Sequence, residues 1–135
     1  MSQKINTILL VDDDEAVNFF HKRLFLKSEL ATPLIQLYNG AEAIRKIITL
    51  NNSLLNDDLV LVFLDLNMPI LDGWGFLEEF KKINYALNFS VDIYILSSSI
   101  NPCDIEKSKQ NIFVKDYICK PLTIEKIIEI KNQYS

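Results

Sequence analysis

Four places in this chain carry side chains that could act together: Asp12-Asp13-Asp14, Asp65, Ser97 and Lys120. Each stands at the end of a short apolar run, where an open α/β sheet places its ligands. Three carboxylates a few ångströms apart repel by roughly 4 kcal/mol per pair at an effective dielectric near 20, so they stay ionised together only beside cations. Oxygen ligands around a small acidic pocket suit Mg²⁺, which keeps several waters and often binds a phosphate as well. With Lys120 added, such an ion balances the three acids, and a phosphoryl donor can enter without net repulsion. The chemistry this permits is phosphoryl transfer to a carboxylate, giving an acyl phosphate. Asp65 is the candidate nucleophile, as the sole acid on the most buried run. A blander reading stands beside it: Asp65 is a hydrogen-bonded or helix-capping acid, and one or two acids at 12–14 serve a helix dipole. Three acids in a row exceed what capping needs.

The elements that must position these groups follow from the pattern. Residues 59–64, Leu-Val-Leu-Val-Phe-Leu, read as a strand buried on both faces, followed by a loop with Pro69 and a helix capped by Asp72. Residues 7–11 form a second buried strand. A helix from 15 to about 30 follows, with Val17, Phe20, Leu24 and His21 on its inner side. A strand at 34–38 leads to a helix at 41–50 with Ala43, Ile44, Ile47 and Ile48 as its apolar positions. Residues 51–58 form an exposed polar loop. The helix from 73 to about 87 buries Phe76, Phe80, Ile83 and Leu87, leaving Trp74 half exposed. A strand at 91–96 ends in three serines. The helix from 102 to about 112 is poor, with only Cys103, Ile105 and Ile112 to bury, and should be the least firmly docked. A strand at 113–119 ends at Lys120-Pro121. Thr123 then caps a last helix to about 134, with Ile124, Ile127 and Ile128 inward and Ile130 at the flank. Strands alternating with helices mean an α/β fold, a doubly wound five-stranded parallel sheet with five helices on its two faces.

Composition narrows the function. At 135 residues and net charge −4, the chain suits one domain spanning 1–135 and offers no basic stripe for nucleic acid. No apolar run approaches a membrane span and the amino terminus is unlike a signal peptide, so a cytoplasmic protein is expected. Cys103 and Cys119, with one histidine in the chain, make neither a zinc pattern nor a disulfide framework; they are expected to be buried, reduced thiols.

The residues also match a family. Val11-Asp12-Asp13, Leu64-Asp65-Leu66-Asn67-Met68-Pro69 with Asp72-Gly73, Leu96-Ser97-Ser98, and Tyr117 with Lys120-Pro121 resemble the motifs of response-regulator receiver domains of two-component signalling, of the stand-alone chemotaxis-regulator kind. The resemblance covers nearly all of the chain. It implies the strand order 2-1-3-4-5 and a flavodoxin-like fold. It further implies that Asp65 is phosphorylated by a histidine kinase or histidine phosphotransfer protein. Asp12, Asp13, Asp65 and the backbone carbonyl of Asn67 would hold Mg²⁺, Lys120 and Ser97 would meet the phosphoryl oxygens, and Ser97 and Tyr117 would form the switch. The Lys120-Pro121 bond would be cis. Two departures lie away from the site: Phe113-Val114-Lys115-Asp116 replaces the family's frequent Gly-Ala, and the loop before the central strand is longer than usual.

On this reading the chain is a signalling phosphoacceptor rather than an enzyme, catalysing only its own phosphorylation and dephosphorylation. Ending within its last helix, it is expected to carry no output domain. It would act on an unknown downstream protein, or a second copy of itself, through the face of the fourth helix, fifth strand and fifth helix, Ile130 included. A phosphatase with an aspartyl-phosphate intermediate is the rival enzyme reading, but such enzymes carry an acid where Asn67 stands. An interaction module without phosphorylation is the other rival; labelling of Asp65 by acetyl phosphate separates it.

Overall fold

The computed structural model describes residues 4–30 and 32–134. Strands β1 (Lys4–Val11), β2 (Leu34–Leu37), β3 (Asp58–Leu64), β4 (Ser90–Ser97) and β5 (Val114–Cys119) alternate with helices α1 (Glu15–Lys27), α2 (Gly40–Leu50), α3 (Gly73–Ile83), α4 (Pro102–Lys109) and α5 (Ile124–Asn132). The strands form one parallel sheet in the order β2-β1-β3-β4-β5. This is the expected flavodoxin-like α/β arrangement.

Successive residues of a strand point to opposite faces, and the three central strands are apolar at both parities. Val60, Val62 and Leu64 of β3 join Leu9, Val11, Ile93 and Ile95 in one core, closed by Ala43 and Ile47 of α2 and Phe76, Leu77 and Phe80 of α3. Leu59, Leu61 and Phe63 join Ile8, Leu10, Tyr94 and Leu96 in the other, closed by Phe25 of α1 and by Ile127 and Ile130 of α5. A sheet so filled is a rigid platform, and its carboxyl edge inherits that rigidity.

Caps set the helix starts. Asp14, Asn39, Asp72, Asn101 and Thr123 each accept a first-turn backbone N–H. The helices end earlier than periodicity predicts, at Lys27, Ile83, Lys109 and Asn132. After Ile83 the chain tightens into a 3₁₀ turn, Asn84–Ala86, before Leu87 and Phe89 return to the core.

Several inward positions differ from expectation. In α1 the buried residues are Asn18, His21 and Phe25, while Phe20 is 47% exposed. In α5 they are Ile127 and Ile130, with Ile128 outside. Ile48 of α2 is exposed, whereas Leu54 of the polar loop is buried. Both cysteines are exposed rather than buried, because Cys103 lies on the outer side of α4 and Cys119 at the open end of β5. Ile112 lies past α4 and is exposed too, so that helix buries only Ser108. No helix among the described residues is long and apolar enough to cross a membrane.

Candidate functional site

The ends of β1, β3, β4 and β5 meet where the strand order reverses, between β1 and β3. Asp12 follows β1, Asp65 follows β3, Ser97 closes β4 and Lys120 follows β5. Backbone bonds hold these ends in step: Asp65 N–H donates to the Val11 carbonyl at 2.9 Å, and Lys120 N–H to the Ser97 carbonyl at 2.9 Å. Gly73 lets α3 press against the same edge, since a Cβ there would lie 2.5 Å from the Asp65 carbonyl oxygen.

Three of the predicted acids come together. Asp12, Asp13 and Asp65 each offer a carboxylate oxygen within 4.8 Å of the others, a spacing that could hold a metal ion. Asp12 and Asp65 are buried and Asp13 is exposed. Their remaining bonds separate the roles. Asp14 caps α1, accepting from the amides of Ala16 and Val17. Asp12 accepts from the Asp14 amide at 2.9 Å, so its backbone is turned by the same loop. Asp13 makes no hydrogen bond or ion pair among the described residues.

Lys120 supplies the positive charge. Its Nζ lies 2.5 Å from Asp12 and 3.5 Å from Asp65, with its side chain 17% exposed. Burial pushes the Asp65 carboxyl above the usual carboxylate range; Asp12 acts in the same direction, while Lys120 and the Asn67 amide that donates to it act against. One ammonium against three clustered acids leaves the pocket electron-rich. A divalent cation bound by oxygen fits that donor set.

Ser97 is fully buried, and its hydroxyl accepts from the Ser99 amide at 3.1 Å. Tyr117 is half-buried against the core of α2 and α3, and its hydroxyl donates to the Ser99 carbonyl at 2.7 Å. The two expected switch residues are thus joined through one residue, Ser99. Its own hydroxyl donates to Asp104 of α4 at 2.9 Å. Asn67 stands beside the pocket with its side chain exposed. The Lys120-Pro121 bond is cis.

Sequence reasoning passed over Asn18 and placed His21 only by its helical position. Both line a narrow hollow beneath the acids, along with Phe63 and Leu96. Asn18 Nδ2 donates to the Asp12 carbonyl at 2.8 Å, and His21 Nε2 accepts from the Leu122 amide at 3.4 Å. Burial holds the His21 imidazole down at about 4, helped by Lys120 and opposed by Asp12. A signal was available: positions 18, 21 and 25 repeat at helical spacing, but only one of them is apolar.

The family model for the response regulator receiver domain matches residues 8–132. A probable C4-dicarboxylate response regulator of Bacillus subtilis is 28% identical over 134 residues, covering 99% of this chain and 54% of the relative. The chain therefore spans about half the length of the curated relatives it matches. A two-component response regulator from Cytophaga hutchinsonii superposes with a TM-score of 0.81 at 27% identity, covering 98% of each chain. The Vibrio cholerae chemotaxis protein CheY4, at 17% identity and TM-score 0.70 over 98% of this chain and 100% of that one, shares the fold.

Proposed function

The chain belongs to the family of response regulator receiver domains, and from that premise we propose that Asp65 accepts a phosphoryl group and switches a protein surface. The observation that carries this reading is Asp65 itself: a buried carboxylate at the end of the central strand, 3.5 Å from Lys120 and within 4.8 Å of two further acids.

The donor is the phosphohistidine of a histidine kinase or phosphotransfer protein. An Asp65 oxygen attacks phosphorus, the P–O bond forms as the P–N bond breaks, and the electron pair leaves on the imidazole. Ionised Asp65 is required, which Lys120 and the Asn67 amide favour against burial. The Lys120 ammonium stands where it can meet charge growing on the phosphoryl oxygens. Asp12, Asp13, Asp65 and the Asn67 carbonyl would hold Mg²⁺, which would supply positive charge between the acids and the incoming phosphate. Ser97 offers its hydroxyl to the phosphoryl group and releases the Ser99 amide, and Tyr117, bonded to the same residue, follows. The surface so changed is that of α4, β5 and α5. Ile130, counted on that face from sequence, is 3% exposed and belongs to the core instead. The site is cytoplasmic on this reading, since its donors are.

Incubation with acetyl phosphate and Mg²⁺, read by intact mass, should add one acid-stable, base-labile phosphoryl group. Asp65→Asn should take none. Equal labelling of that variant would move the acceptor elsewhere.

A further inference from the structure

We infer that Asn18 and His21 form a bracket on α1 that fixes the reach of Lys120 to Asp12 and Asp65, and so act as positioning residues for phosphoryl transfer. This rests on Asp65 being the phosphoacceptor.

The two residues stand three apart on one helix and are both buried, at 1% and 2% exposure. Their partners are the backbones that flank the ion pair. Asn18 Nδ2 donates to the carbonyl of Asp12, whose carboxylate receives the lysine. His21 Nε2 accepts from the amide of Leu122, two residues beyond Lys120. Pro121 has no N–H, so the Leu122 amide is the first backbone donor after the lysine. Lys120 N–H is itself held by the Ser97 carbonyl. One rigid helix therefore grips the acid's strand end and the lysine's turn at once, and the ammonium spans a gap of fixed width.

The bracket is kept at a cost. Asn18 Oδ1 is buried without a hydrogen-bond partner. The hollow it faces leaves no room for a water. An orphaned acceptor of this kind is destabilising, and an apolar residue would avoid it. What the amide supplies in return is its hold on Asp12. His21 is likewise a costly core filler unless its acceptor is used.

The experiment follows the rate at which acetyl phosphate with Mg²⁺ labels Asp65. His21→Leu removes the acceptor and should slow labelling about tenfold, as expected of a displacement well under an ångström at a reacting centre. His21→Gln keeps an acceptor and should stay within about twofold of the parent, inside the scatter of independent sites. In a Lys120→Ala background, His21→Leu should change the rate by less than about twofold, because its effect runs through the lysine. Asn18→Leu supplies the second arm: it loses both the orphan and the grip, so its melting temperature should hold or rise while labelling slows. The inference is overturned if His21→Leu labels at the parental rate, if His21→Gln is as slow as His21→Leu, or if either leucine variant still slows labelling without Lys120. A parent chain that takes no phosphoryl group at all would instead defeat the phosphoacceptor reading.

Discussion

Asp13 and Asp14 are neighbours of one charge with different occupations. Asp14 is spent on the first turn of α1, whereas Asp13 projects toward the other acids with nothing to balance it. Without metal, its charge repels Asp12 and Asp65. Asp13→Ala should therefore leave the metal-free fold as stable or more so, by up to about 1 kcal/mol given its exposure. A cation that binds only the folded form stabilises it by mass action, and the variant should gain less from Mg²⁺ than the parent does. Melting curves with Mg²⁺ and with chelator read both effects; a variant destabilised in chelator would make Asp13 structural. His21 sets a pH dependence. Its folded value of about 4 lies below the ordinary 6.5, so the fold favours the neutral ring. That contribution is complete above pH 6.5 and is lost as pH falls through about 4, a swing of about 3 kcal/mol. Asp65, raised by burial, works in the opposite sense, since its protonation in acid favours the fold. Denaturant unfolding between pH 7 and 4 in an Asp65→Asn background isolates the histidine: His21→Gln should flatten the slope there. Equal slopes with and without the histidine would sink the prediction.

At the scale of elements, α1 and α4 differ in how they hold on. The apolar residues of α1 suggest a stripe through Val17, Phe20 and Leu24, yet the helix sits one residue further round, on Asn18, His21 and Phe25. Hydropathy alone cannot foresee this, because two of the buried groups are polar and pay their way through bonds to residues far along the chain, at Asp12 and Leu122. The weakness of α4 was legible, since its sequence offers so few apolar side chains. Polar contacts help to hold it: Ser99 to Asp104 at its start, and Lys107 lying 4.3 Å from the ring centroid of Trp74. Helices docked without an apolar face open easily. Hydrogen exchange should find α4 the least protected of the five helices. Beryllofluoride with Mg²⁺ should change protection across residues 99–118. No change there, with a change on another surface, would place the output elsewhere.

Across the whole molecule, what the sequence made legible were the strands buried on both faces and the charged residues that end them. Runs such as Leu59–Leu64 fill two cores at once, and a strand that does so has few other places to go. The site was legible for the same reason, as its groups sit at strand ends rather than on loops of free geometry. Less legible was how the sheet is tied at its far end, where Tyr94 and Tyr134 share a hydrogen bond of 2.7 Å and Tyr134 donates to Asp92. Those partners lie some forty residues apart, beyond any local pattern. The stacking of Lys107 on Trp74 has a practical consequence. Trp74 is the chain's single tryptophan, so all indole fluorescence comes from one ring at the start of α3, with a cation from α4 lying over it. Emission colour and yield respond to a charge held that close. Any displacement of α4 that carries Lys107 away should shift the spectrum, with no dye attached, and Lys107→Met should show the altered spectrum from the start. The chain thus carries an optical gauge of its own state, readable in a cuvette as phosphodonor is added.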